Sequence, residues 1–99
     1  QPKQYQLVLF SILNIHESKK DIIFTGEVYD LYQKLCNQTQ LRPLTQRRVS
    51  DIIAEFDMLG LIQAKTISKG RYGRTREIIL NELVWNDKLK KTVGEQLAL

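Results

Sequence analysis

The chain has 99 residues, of which 42% are hydrophobic and 26% charged, and its formal net charge at pH 7 is +4. This length supports one hydrophobic core and leaves no room for a second domain beside it. A membrane span needs roughly 18 apolar residues, and the most apolar stretch, residues 7–15, is interrupted by Ser11 and Asn14. The composition therefore predicts one small domain without a membrane span.

Cysteine content and the N-terminal residues bear on the compartment. Cys36 is the only cysteine, so neither an internal disulfide nor a cysteine-based zinc site can form, which favours a reducing compartment. The first residues lack the basic, apolar and small-residue succession of a secretory signal. These features predict an intracellular protein.

Positive charge is concentrated in one third of the chain. Residues 42–76 contain eight basic and three acidic residues, a net charge of +5, whereas the remainder carries −1. Such a distribution is typical of a surface that binds a polyanion. A solvated basic surface without a partner is the alternative that charge alone leaves open.

Apolar residues at helical spacing predict the first two helices. The first helix has an apolar surface made by Tyr5, Leu7, Val8, Leu9, Phe10, Ile12, Leu13 and Ile15. A β-prone segment, residues 21–24, precedes the second helix, for which Thr25 is the predicted N-cap and Glu27 lies in the first turn. The apolar face of that helix consists of Val28, Leu31, Tyr32 and Leu35. It is expected to end within residues 37–39, before Pro43.

A third helix, a hairpin and a last helix complete the pattern. Thr45 caps the third helix and Gly60 is the predicted residue of positive φ after it; its apolar positions are Val49, Ile52, Ile53, Phe56 and Leu59. Two β-prone runs, residues 61–68 and 76–80, flank a glycine-containing basic segment and predict a hairpin. Apolar residues spaced by four then predict a C-terminal helix after Asn81, with Trp85, Leu89, Val93 and Leu97 on one face.

This element order predicts an α+β winged helix-turn-helix: a three-helix core, a small antiparallel sheet and a β-hairpin wing. We expect a single DNA-binding domain over residues 1–99, with its core at about residues 5–80 and a C-terminal helix within residues 81–99. In such domains the third helix enters the major groove of DNA and the wing projects beside it.

A helical projection of the third helix separates its polar residues into three groups. Arg47, Asp51, Ala54 and Met58 point away from the core stripe, Arg48 and Glu55 lie on one flank, and Gln46 and Ser50 lie on the other. Arg47 is therefore predicted to read bases, because arginine can bond guanine O6 and N7 together. Arg48 is better placed for a phosphate, and Thr45 with the free amides of the helix start could hold another. The alternative is that both arginines are ordinary surface residues.

The predicted wing supplies the second set of candidate contacts: Lys69, Gly70, Arg71, Tyr72, Gly73 and Arg74. With Arg76 it contains four cations within eight residues and no acid, an arrangement that favours a polyanionic partner. Tyr72 could contact a sugar-phosphate backbone or pack on its own strands. The segment matches neither the P-loop nor the dinucleotide-binding glycine pattern, so nucleotide binding is not expected.

Residues that could carry catalysis or bind a metal are sparse. His16 is the only histidine and is interpreted as a surface or helix-end residue. Cys36 lies beside Leu35 on a helix and is interpreted as a small core residue, because no histidine close in sequence could activate it. The carboxylates form no paired acid-base arrangement. We therefore predict a protein that is not an enzyme and has no catalytic residues, metal site or cofactor.

Four segments together resemble a known family: Thr25-Gly-Glu-Val-Tyr-Asp30, Leu44-Thr-Gln-Arg-Arg-Val-Ser-Asp51, Asp57-Met-Leu-Gly-Leu61 and Ser68-Lys-Gly-Arg-Tyr-Gly-Arg-Thr75. They look like the C-terminal winged-helix domain of archaeal replication initiators, the AAA+ ATPases that recognise origins and load the helicase. The resemblance covers roughly residues 5–80. It implies binding of double-stranded origin DNA, through residues 45–51 in the major groove and residues 69–74 in the adjacent minor groove.

The same resemblance implies partners and a location outside this chain. ATP and magnesium would be bound by the AAA+ domain of a longer parent chain, and that domain, origin DNA and a replicative helicase are the implied partners, in the cytoplasm at the nucleoid. Residues 81–99 match no motif of the family. Two alternatives remain open: a winged-helix transcription regulator, which would usually dimerise on palindromic half-sites, and a winged helix that binds proteins, which would present neutral or acidic helix and wing surfaces.

Overall fold

The computed structural model describes residues 2–19, 22–68, 74–81 and 87–97. Its elements are helix α1 (Pro2–Lys19), strand β1 (Ile23–Phe24), helices α2 (Thr25–Thr39) and α3 (Gln46–Met58), strands β2 (Ile62–Ser68) and β3 (Arg74–Leu80), and helix α4 (Asp87–Leu97). The strands form one antiparallel sheet in the order β1-β3-β2. This architecture confirms the predicted α+β winged helix.

The core lies between helices α1, α2 and α3 and one face of the sheet, and α4 adds Val93 and Leu97. Each apolar stripe predicted from helical spacing supplies fully or nearly buried side chains, and the strands add Ile23, Ile62, Ile78 and Leu80. Tyr5, Leu9, Phe10, Ile15 and Leu31 are half-buried at its edge. Burial of this apolar surface is the main force that holds the helices on the sheet.

Helix α2 begins one residue earlier than predicted, so Thr25 as its N-cap is wrong. Phe24 has the extended geometry of the N-cap, with φ −104° and ψ 148°, and Thr25 is the first helical residue. The backbone N–H of Phe24 donates to Glu27 Oε1 at 3.1 Å. Since β1 already fixes Phe24 in an extended conformation and Glu27 satisfies its amide, the helix begins there without a capping hydroxyl.

Helix α3 begins after Thr45 as predicted, whereas at its other end Leu59 is exposed instead of buried. Thr45 Oγ1 accepts a hydrogen bond from the Arg48 amide at 3.2 Å, and Gly60 has the predicted positive φ of 78°. Leu59, however, was wrongly placed on the apolar face, because its side chain is 70% exposed. Leu59 is the C-cap of the helix, and the chain turns away there, so Leu61 rather than Leu59 packs against the core.

The hairpin and the last helix agree with the predicted pattern. Strands β2 and β3 pair from Ile62 with Leu80 to Ser68 with Arg74, so β3 begins two residues before the predicted Arg76. In α4 the predicted apolar residues Val93 and Leu97 are buried. Trp85 and the side chain of Leu89 lie outside the described residues. Within the described part of the chain, no helix combines the length and the apolar character that crossing a membrane requires.

Candidate nucleic-acid interface

A buried polar network fixes the turn that leads into α3. The hydroxyl of Tyr32, which is fully buried, accepts a hydrogen bond from the Leu44 amide at 2.8 Å and donates to Gln4 Oε1. Gln4 Nε2 in turn donates to the Arg42 carbonyl at 3.1 Å. One tyrosine of α2 and one glutamine of α1 therefore hold the backbone of Arg42 and Leu44, within a turn that has no regular structure of its own.

A second tyrosine strengthens the same turn. The Tyr29 hydroxyl donates to the Leu44 carbonyl at 3.1 Å, and the rings of Tyr29 and Tyr32 stack with centroids 6.1 Å apart. Burial raises the pKa of Tyr32 to about 12, so its hydroxyl stays neutral and can donate and accept throughout the physiological pH range. The direction in which α3 leaves the turn is thus set by hydrogen bonds with both backbone groups of Leu44.

The N-terminal turn of α3 is open to solvent. Gln46, Arg47 and Arg48 are exposed, as are Thr45 before them and Asp51 one turn later, and Ser50 is half-buried. Val49, Ile52, Ile53 and Phe56 on the opposite side are buried. The exposure of Arg47, Asp51 and Met58 agrees with the predicted outward face, whereas Ala54 of the same face is half-buried. The face with Arg47 is presented to solvent at the end of the helix where the backbone amides also point outward.

One flank of α3 faces helix α1. The ring of Tyr5 packs edge-on against Phe56, with centroids 6.1 Å apart and an interplanar angle of 74°. The Glu55 carboxylate and, to a smaller extent, burial raise the pKa of Tyr5, while Arg48 lowers it. Both residues are therefore close enough to the Tyr5 hydroxyl to affect its pKa, on the α1 side of the helix and away from the outward face with Arg47.

The other flank of α3 faces the wing strands. Arg76 Nη1 on β3 donates to the Ser50 carbonyl at 3.2 Å. This hydrogen bond connects the hairpin directly with the second turn of α3. Ser50 is therefore in contact with the wing side of the domain, and Gln46, which the helical projection places on the same flank, is expected there as well.

The structure describes the predicted wing contacts only in part. Lys69, Gly70, Arg71, Tyr72 and Gly73 lie outside the described residues, and so does the side chain of Arg74, whose backbone pairs with Ser68 in the hairpin. Their contact roles stay predictions.

The residues that position the site were not predicted from the sequence. Gln4, Tyr29 and Tyr32 had no predicted positioning role, and Arg76 was predicted only as one cation of the wing. A buried tyrosine usually finds a hydrogen-bond partner for its hydroxyl, so the tyrosine on the apolar face of α2 was the available signal, although the sequence does not say which group is its partner.

Neither the buried thiol of Cys36 nor the arrangement of possible metal ligands among the described residues indicates a reactive site. Burial raises the pKa of Cys36, which keeps the fully buried thiol protonated and unsuited to nucleophilic attack. Among the described residues, no group of three or more His, Cys, Asp or Glu side chains could hold a metal ion.

Helices α1, α2 and α3, of which α3 has an outward-facing surface, together with the small antiparallel sheet define a winged helix-turn-helix domain. The family model described as "CDC6, C terminal winged helix domain" matches residues 1–84. The chain belongs to this family, as the sequence motifs indicated. It is a winged-helix domain rather than a catalytic domain.

Two similar proteins have names that refer to DNA replication. The chain is 54% identical over 80 residues to an ORC1-type DNA replication protein of Pyrococcus horikoshii, covering 81% of this chain and 19% of that protein. It is 50% identical over 80 residues to ORC1-type DNA replication protein 7 of Halobacterium salinarum, covering 81% of this chain and 15% of that protein. The chain thus spans about a fifth or less of the length of these relatives.

A solved structure has the same fold. The Aeropyrum pernix ORC1 protein, determined in complex with DNA, superimposes with a TM-score of 0.74 at 39% sequence identity. The match covers 96% of this chain and 23% of that chain.

Proposed function

We propose that this domain binds double-stranded DNA at replication origins, as the DNA-binding module of a replication initiator. Helix α3 enters the major groove, and the wing between β2 and β3 enters the adjacent minor groove. The observation that carries the proposal is the exposed N-terminal turn of α3, where the side chains of Arg47 and Arg48 lie beside the helix-start amides, of which the Arg48 amide is capped by Thr45 Oγ1. The family match and the similarity to an ORC1 protein determined with DNA support it.

The contacts divide by chemistry. Arg47, on the outward face, reads base edges, while Arg48, Thr45 and the amides of the helix start bind phosphates. Gln46, Ser50 and Asp51 lie along the same groove. Lys69, Arg71 and Arg74 of the wing bind phosphates or the minor-groove floor, with Tyr72 against the sugar-phosphate backbone, and Gly70 and Gly73 let the hairpin tip approach closely.

Salt dependence of duplex binding tests the proposal. If about five cations contact phosphates, the slope of log K against log salt should be about −4.5, because each phosphate contact contributes about −0.9. Fluorescence anisotropy with labelled duplexes at a series of salt concentrations measures it, and Arg48→Ala is the matched variant that should flatten the slope by about one contact. Affinity that does not change with salt would contradict the proposal.

A longer parent protein supplies the remaining activities. We propose that ATP and magnesium are bound by a AAA+ domain elsewhere in that chain, and that this domain and a replicative helicase are partners of the assembled initiator at the nucleoid. Sedimentation of the chain with and without duplex distinguishes this function from a transcription regulator, which would form a dimer on palindromic half-sites.

A further inference from the structure

The face of β3 that is turned toward α3 changes from apolar to cationic along the strand. Alternate residues of a strand share a face. Leu80 and Ile78 are buried at the base of the hairpin, and Arg76, two residues nearer the wing, is half-buried. The intervening Glu77 belongs to the other face, where it pairs with Lys65 of β2.

The guanidinium of Arg76 is held by a neutral group, and no carboxylate of the described residues neutralises it. Its one hydrogen bond among the described residues goes from Nη1 to the Ser50 carbonyl, a neutral group in the second turn of α3. A guanidinium has five N–H donors, so this bond orients the group and leaves further donors for another acceptor. No carboxylate pairs with it within the described part of the chain.

We propose that Arg76 binds a DNA phosphate where the sugar-phosphate backbone crosses between α3 and the wing. The inference rests on the proposed function: with α3 in the major groove and the wing in the adjacent minor groove, the strand that separates the two grooves must pass between these elements. Arg76 connects them through the Ser50 carbonyl. Because that bond already fixes the guanidinium, little side-chain entropy is lost on binding phosphate.

Charge and position can be separated by substitution. Arg76→Gln removes the charge and, because its side chain is shorter, also the bond from Nη1 to the Ser50 carbonyl, whereas Arg76→Lys keeps the charge on a side chain of nearly the same length. Lys65→Gln is the matched control, since it removes one positive charge from an exposed position on the opposite face of the same hairpin. All three variants are first compared with wild type by thermal unfolding.

Arg76→Gln should weaken binding to every duplex by a similar factor and flatten the slope of log K against log salt by about 0.9. Arg76→Lys should keep the wild-type slope, and Lys65→Gln should keep both slope and affinity. A scan of duplexes with single neutral methylphosphonate linkages should identify one linkage that weakens wild type and leaves Arg76→Gln unaffected.

Several results would overturn the inference. An unchanged salt slope in Arg76→Gln, or no linkage whose effect disappears in that variant, would make Arg76 only a connection between β3 and α3. Equal loss of affinity in Arg76→Lys and Arg76→Gln, or a low Tm in both, would assign the effect to geometry. If wild type itself shows no salt-dependent binding, the proposed function fails, which is a different outcome from failure of Arg76 alone.

Discussion

Arg47 and Arg48 are neighbours in the chain but have different surroundings, because consecutive helical residues point about 100° apart. Arg47 lies on the outward face of α3, whereas Arg48 lies on the flank with Glu55, near the Tyr5 hydroxyl. Arg47→Ala should therefore relax sequence preference, with a loss of about 1–3 kcal/mol on the preferred duplex. Arg48→Ala should weaken binding to all duplexes alike.

Competition titrations with preferred and scrambled duplexes measure this difference. Wild type gives the reference ratio of affinities, and the control is an unchanged Tm in both variants. Equal loss of preference in Arg47→Ala and Arg48→Ala would refute the division between base reading and phosphate binding.

Gln40, the C-cap residue of α2, has a backbone conformation that is unfavourable for residues other than glycine. Its φ of 59° and ψ of 32° are left-handed, a conformation that costs residues other than glycine about 1–2 kcal/mol. Gln40→Gly should stabilise the fold by up to about 1 kcal/mol, because the relief of strain exceeds the added entropy of the unfolded chain.

Urea unfolding measures that gain. Gln38→Gly is the matched control, since it makes the same replacement two residues earlier within α2 and should destabilise the fold by up to about 1 kcal/mol. A loss of stability in Gln40→Gly would contradict the strain argument.

At the scale of elements, the turn between α2 and α3 depends on Tyr32. Tyr32→Phe leaves the Leu44 amide and Gln4 Oε1 without their buried partner, which should destabilise the fold by about 1–3 kcal/mol. Tyr29→Phe is the matched control. It removes a hydroxyl that donates only to the Leu44 carbonyl, from a ring that is half-buried, and it should lower the free energy of unfolding by about 1 kcal/mol or less. Equal losses in the two variants, measured by urea unfolding, would argue against the network.

Ionisation of the Tyr32 hydroxyl should make the stability of the fold depend on pH. Burial raises the pKa of Tyr32 to about 12 in the folded chain, above its ordinary value of 10.0. The folded state therefore retains this proton where the unfolded state loses it, so the contribution is complete below pH 10 and is lost as the pH rises from 10 towards 12. Unfolding free energies measured across this range should fall less steeply in Tyr32→Phe than in wild type. Parallel curves would contradict the assignment.

The DNA contacts of the wing are predicted from the sequence, because residues 69–73 lie outside the described residues. Replacing Arg71 and Arg74 together by Ala should reduce affinity, flatten the salt slope by up to about two units and weaken a preference for A·T-rich flanks, because a narrow minor groove concentrates negative potential. Gly70→Val or Gly73→Val should also weaken binding with the charge unchanged, if the turn uses positive φ. Titrations on duplexes that differ only in flank composition measure both effects. Unchanged affinity, slope and flank preference would leave recognition to α3.

At the scale of the whole molecule, we expect this chain not to bind nucleotide. Its basic glycine-containing segment lies between two strands, whereas a phosphate-cradling loop precedes a helix, where amides and the helix dipole face the anion. Isothermal titration with ATP and magnesium should show no stoichiometric site, with duplex DNA as the positive control for the same preparation. A stoichiometric heat would require a new interpretation of the wing.

The elements and most of their ends could be predicted from the sequence, because these depend on neighbours within a few residues. The apolar spacing of α3, the Thr45 cap and the positive φ of Gly60 are local signals, and the structure has all three. The outward face of α3 follows from the same periodicity. The family motifs were equally readable, because they are contiguous segments.

Only the tertiary structure decided which polar groups meet. Tyr32 and Gln4 are 28 residues apart, and Arg76 and Ser50 are 26 apart, distances over which periodicity contains no pairing information. The shift of the α2 N-cap to Phe24 depends on pairing between β1 and β3, and the exposure of Leu59 depends on where the chain leaves the core. Local sequence signals are enough to form α3, whereas contacts between distant segments fix its direction and connect it to the hairpin.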